Sequence, residues 1–119
     1  MDKNETITVS GSRKETVTKD ETVIIDGARR VDISKADHLT VGDGWIQTIT
    51  GNDVLSVSKK LSVEVGDEIT FKTGAASLTM KKDGTIVIKG KDLTLSASGK
   101  INAKASGDVI IKGSKVGGN

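Results

Sequence analysis

Counting in eights from Val9, the chain meets Val17, Ile25, Ile33, Val41, Ile49, Val57 and Val65 without a break. A second column runs two residues ahead of it: Ile7, Glu15, Val23, Val31, Leu39, Gln47, Leu55 and Val63. Residues two apart share one side of a strand, so each eight-residue unit, or octad, offers an apolar pair to one side. The pairing continues as Phe71/Thr73, Leu78/Met80, Ile86/Ile88, Leu93/Leu95, Ile101/Ala103 and Val109/Ile111. Two steps shorten to seven residues, 71 to 78 and 86 to 93. The six-residue echo in "ETVTKDETV" (Glu15 and Glu21) dissolves into this stride, because the two glutamates fall in different slots of the octad. Such a fixed short period is the mark of a repeat architecture. A helix is excluded by the period and by the weight of Thr, Val and Ile.

Glycine follows the second apolar column by two residues at Gly11, Gly27, Gly51, Gly90 and Gly113, while Lys, Asp or Ala takes the slot elsewhere. Each octad therefore reads as a short strand and a corner, with glycine and aspartate chosen for the backbone freedom corners need. Asp83-Gly84 reads as a turn. No proline interrupts a ladder.

One apolar pair per octad cannot make a core alone. Only 34% of residues are hydrophobic, and the aromatic ones are Trp45 and Phe71. A monomer this poor in large side chains cannot offset its chain entropy. Near-neutral charge (+2) and the Val/Ile content argue against disorder. The economical solution is all-β: an intertwined homotrimer, a triple-stranded β-helix whose columns meet along a shared axis. Its inward residues are then Val9, Val17, Ile25, Ile33, Val41, Ile49, Val57, Val65, Ile88, Leu95 and Ile111. One needle domain spans residues 1–119, with octads over about 4–115 and a short tail at 116–119. Glu15 and Gln47 break the apolar column. They imply a wetter or irregular interior at their levels, and Trp45 with Ile46 is expected to cover the side of the needle.

Charge is uneven. Residues 1–68 hold 9 Lys+Arg against 13 Asp+Glu, and residues 69–119 hold 9 against 3, so the first part is acidic and the last basic. Lysine-rich strands without aromatics for stacking do not point to nucleic acid. There is no cysteine, hence no disulfide and no thiolate metal site. His38, the single histidine, neighbours the inward Leu39 and so points outward. The carboxylates scatter along the repeat rather than pairing in a cleft. No catalytic, cofactor-binding or metal-binding residue is expected, and the chain is not expected to be an enzyme. The opening "MDKNETITV" has no apolar signal core.

The Val-x-Gly octads, the run "NETITVSGSRKETVTKDETVIIDG" and the run "SLTMKKDGTIVIKGKDLTLSASGKINAKASGDVIIKGSKV" resemble the C-terminal needle of VgrG proteins. These are the spikes of bacterial type VI secretion, akin to the tail-spike lysozymes of contractile phages. The resemblance implies a homotrimeric needle that punctures a cell envelope, seated on an Hcp tube through N-terminal domains absent from this chain. It implies a PAAR-repeat protein at the C-terminal tip, transient contact with a target membrane, assembly in the cytoplasm and delivery by injection without a signal peptide. The chain then reads as a C-terminal piece of a larger spike. Ile111, Gly113 and Val116 would form a small apolar triangle at the tip, ringed by Lys112 and Lys115. A trimeric fibre or adhesin stalk binding a surface carbohydrate is the alternative; Trp45 would be its one aromatic platform.

Overall fold

A computed structural model describes residues 3–118. Met1, Asp2 and Asn119, the ends of the expected 1–119 domain and its tail, lie outside the described residues. The described residues contain strands, turns and bends but no helix, so the chain is all-β, and no helix long and apolar enough to cross a membrane occurs among them. It divides into two units, residues 1–52 and 53–119.

In the first unit, the chain bends at 10–11, 18–19, 26–27, 34–35, 42–43 and 50–51, a spacing of eight. Each bend follows directly on a residue of the second apolar column, Val9 through Ile49. Between bends run six-residue segments with neither turn nor helix. Their side chains alternate as in a strand: Arg13 reaches Glu15, and Arg30 reaches Asp32, each two residues on and each at 2.8 Å.

The bend glycines do not serve the purpose the sequence suggested. Among the described residues only Gly74 and Gly84 have positive φ, and neither lies at an octad bend. Lys19 and Lys35 occupy the same bend slot as Gly11 and Gly27, and a Cβ added at either glycine would meet nothing within 4 Å. The bends are therefore open to any residue as far as this chain's own backbone is concerned.

The second unit keeps the bends at 58–59 and 66–67, then departs from the stride. Residues 68–89 form an antiparallel meander of β1 (Glu68–Thr73), β2 (Ala76–Lys81) and β3 (Ile86–Lys89), in that order. β1 and β2 pair from Glu68↔Lys81 to Thr73↔Ala76 around a two-residue turn, Gly74-Ala75. Gly74 has φ 53 and Ala75 does not have positive φ, the pattern that favours glycine first in a hairpin loop. β2 and β3 pair from Ser77↔Lys89 to Met80↔Ile86. Their loop is held by Gly84 N donating to Lys81 O and by Thr85 N donating to Asp83 Oδ1, both at 3.0 Å. Gly84, at φ 94, takes the position an L side chain would strain.

The octad reading of 68–89 is thus corrected. The pairs Phe71/Thr73, Leu78/Met80 and Ile86/Ile88 do lie on single strand faces, but hairpins join them, not corners. The seven-residue step from 71 to 78 is the tight turn. Beyond β3 the chain bends at 91–92, 98–99, 106–107 and 113–114.

No side chain among the described residues is buried. The chain exposes 13470 Å². A compact protein of its mass would expose about 6,000 Å², and a fully unfolded chain about 18,000 Å². What is missing is a partner for the apolar columns.

Candidate assembly surface

The second column is the more sheltered of the two. Its residues from Val9 to Val65 are all 43–49% exposed, whereas the first column runs from 57% at Val31 to 71% at Leu55. Between Ile24, at 81%, and its neighbour Ile25, at 46%, the side of the strand decides the difference. An open groove in the first unit, about 600 Å³, is lined by Glu21, Val23, Ile25, Gly27 and Arg29. Three of these are alternate residues of one octad; the last belongs to the next. The bend at 26–27 therefore folds both octads around one concavity, and Val23 and Ile25 bring both apolar columns into its lining.

The backbone of these segments is as unpartnered as the side chains. Outside the meander strands, the backbone–backbone hydrogen bonds of the described residues all fall between Asp67 and Thr85. The octads on either side present N–H and C=O groups along both edges. Such edges are templates for pairing with another chain, and backbone groups removed from water must be paired. Apolar columns and free edges together are what assembly by strand addition requires.

The meander carries the same need in another form. Cross-strand registry puts Ile69, Phe71, Leu78, Met80, Ile86 and Ile88 on one face. Glu68, Thr70, Lys72, Lys81 and Lys89 share the other. Ile69, Leu78 and Met80 are half-buried, yet Phe71, Ile86 and Ile88 are 58–64% exposed. The chain has no element to lay over them. Sequence reasoning missed this face because the columns were followed through it as octads. The shortened step at 71 to 78, with Gly74 and the Asp83-Gly84 turn, was the available signal.

Glu15, the outlier of the first column, is not alone. Arg13 Nη2 donates to Glu15 Oε2 at 2.8 Å, two residues back on the same strand side. Both side chains remain more than half exposed, 64% and 55%, so this pair contributes little in the single chain. Trp45 and Ile46 are 70% and 91% exposed; nothing in the chain covers them. Of the expected inward residues nearer the C-terminus, Ile88, Leu95 and Ile111 are 59%, 70% and 72% exposed. The expected tip residues Ile111, Lys112, Gly113, Lys115 and Val116 flank the bend at 113–114 and are all exposed. His38 is exposed as well.

Fold and surface define a class: an all-β chain with periodic bends that exposes apolar columns and unpaired strand edges. Its sequence carries a matching relationship. Over 34 residues, 29% of this chain, it is 59% identical to the type VI secretion system spike protein VgrG1b of Pseudomonas aeruginosa. The matched stretch spans 5% of that protein's length. No protein-family model matches the chain. The chain is thus related, over part of its length, to a VgrG spike.

Proposed function

We propose that this chain is the needle of a type VI secretion spike, working as an intertwined homotrimer in the form of a triple-stranded β-helix. The observation that carries the reading is the coincidence of exposed apolar columns with strand edges that find no hydrogen-bond partner in their own chain. Three copies wound about one axis satisfy both: the columns turn inward and the edges pair between copies. The meander's apolar face closes against its two symmetry mates. The relationship to VgrG1b supports the spike context.

The function is mechanical, with no catalysis and no cofactor. In a ladder shared by three chains, bending the rod means breaking many hydrogen bonds together, so axial load is borne without local failure. Polar and charged residues on the outer side keep the rod soluble and its neighbours apart. A PAAR-type cap seats on the triangle of Ile111, Gly113 and Val116 with Lys112 and Lys115 around it. An Hcp tube holds the other end through the parent protein's N-terminal domains. The assembly forms in the cytoplasm and is injected through a target membrane.

Sedimentation equilibrium tests the trimer: about 37 kDa, three times 12.4 kDa, is expected, and a monomer defeats the proposal. Truncation after Lys112 tests the tip. Binding of a PAAR-type protein should fall at least tenfold while the trimer persists. A carbohydrate-binding stalk draws on the exposed Trp45 alone. Binding on a glycan array that Trp45→Ala abolishes would favour that reading over the needle.

A further inference from the structure

A third column shares the inward side of the strands. It lies two residues ahead of the first apolar column and, over the first five octads, reads Glu5, Arg13, Glu21, Arg29 and Asp37 before giving way to Trp45, Asp53 and Leu61. From Glu5 to Asp37 the sign alternates at every step. The contact of Arg13 with Glu15 places it on the side of the apolar columns, as does the groove that Glu21 and Arg29 share with Val23 and Ile25. The chain has 18 basic residues, and its three arginines are Arg13, Arg29 and Arg30. Both basic slots of this column are arginine. A guanidinium is the cation suited to desolvated, multiply hydrogen-bonded pairing with carboxylates.

We infer that this column sets the register between copies by pairing each octad of one chain with the next octad of its neighbour; the inference rests on the trimer proposed above. Threefold symmetry fixes the geometry. If each bend carries a chain from one face of the needle to the next, equivalent octads of the three copies lie at equal height on different faces. On any one face, neighbouring strands then come from different copies and differ by one octad. At that offset Glu5 meets Arg13, Arg13 meets Glu21, Glu21 meets Arg29 and Arg29 meets Asp37. Every neighbour is opposite in sign.

A slip of one copy by one octad brings its two offsets to zero and two, and the charges of this column that then meet across those contacts are alike. The apolar columns do not resist such a slip, because Val and Ile recur at every level. The charge column has twice the period of the apolar repeat, so it penalises the slip that the apolar repeat permits. Like charges facing each other across strands are destabilising, more so when water is excluded. The arrangement also accounts for Glu15. It adds a carboxylate to Arg13, whose five N–H donors serve more than one acceptor.

Disulfide trapping reads the offset directly, since the chain has no cysteine of its own. Thr8 and Thr16 hold the same outward slot one octad apart. Neighbouring strands lie about 4.8 Å apart, within the Cα separation that a disulfide spans. The variant Thr8→Cys/Thr16→Cys should oxidise to a closed covalent trimer on a non-reducing gel, and each single variant should stay uncrosslinked. Crosslinked dimers from Thr16→Cys alone would overturn the inference. So would an uncrosslinked double variant whose mass in solution is a trimer.

Charge variants give an independent readout. Arg13→Glu/Arg29→Glu leaves the column wholly acidic and should raise the concentration for half-dissociation at least tenfold. Inverting all five signs together with that of Glu15 (Glu5→Arg, Arg13→Glu, Glu15→Arg, Glu21→Arg, Arg29→Glu, Asp37→Arg) should restore assembly. Wild-type assembly by the first variant, or equal impairment of the second, would refute the register role. A monomeric wild type would overturn the trimer itself, and this inference with it.

Discussion

At the scale of single residues, the chain separates positions that its own backbone constrains from positions that only partners constrain. Asp83 is of the first kind. The backbone N–H of Thr85 donates to its carboxylate at 3.0 Å and holds its pKa below the ordinary 3.8. A carboxylate with a depressed folded pKa stabilises the fold above its unfolded pKa, and this is lost as pH falls through the lower folded value. The β2–β3 turn should therefore loosen only under acid conditions, below about pH 4. Protection of the Thr85 amide, measured by NMR as exchange relative to the intrinsic rate at each pH, should fall there in the wild type and be low at all pH values in Asp83→Ala. Asp83→Asn, which keeps an acceptor oxygen without the charge, should remove the pH dependence; an unchanged pH profile in that variant would refute the assignment. Gly11 and Gly27 are of the second kind: open space around them and lysine at equivalent bends leave the single chain indifferent to their identity.

At the scale of elements, the meander tests what covers an apolar sheet face. Leu78 stands in the central strand, half-buried, opposite Phe71 on one side and Ile88 on the other. If symmetry mates close over this face, Leu78→Ala should cost about 2–5 kcal/mol per copy, as at a packed interior site. If the face stays as open as in the single chain, the loss should be within about 0.5 kcal/mol. Thr79→Ala, on the opposite face, serves as the control. Guanidinium unfolding followed by circular dichroism discriminates the two outcomes. The meander also marks where the sequence stops being legible. The stride from Val9 to Val65 located the bends because local backbone geometry repeats with it. The same stride misread 68–89, since alternation within a strand says nothing about how strands are joined. Gly74 and Asp83-Gly84 carried that information. The Arg13–Glu15 pair was hidden for a related reason: reading down columns obscures neighbours two residues apart within a strand.

At the scale of the whole molecule, the proposed trimer makes the fold of this chain and its assembly one equilibrium. Among the described residues, no buried side chain and no intrachain ladder in the octads means that the single chain has little to hold it. In the proposed trimer stability comes by mass action from association, and the unfolding temperature should rise with protein concentration. Hydrogen exchange gives the sharper prediction because it resolves where the protection lies. In the trimer, amides of the octads at 12–17, 20–25 and 28–33 donate to neighbouring copies and should exchange at least a thousandfold more slowly than the unfolded chain, as global opening free energies of about 4 kcal/mol or more require. On dilution below the dissociation concentration, that protection should vanish together at every octad. The 68–89 meander has intrachain ladders of its own, and any protection that survives dilution should be confined to it. Octad amides that stay protected in the dilute single chain would mean that the strands pair within one copy, and the intertwined needle would have to be abandoned for a single-chain solenoid.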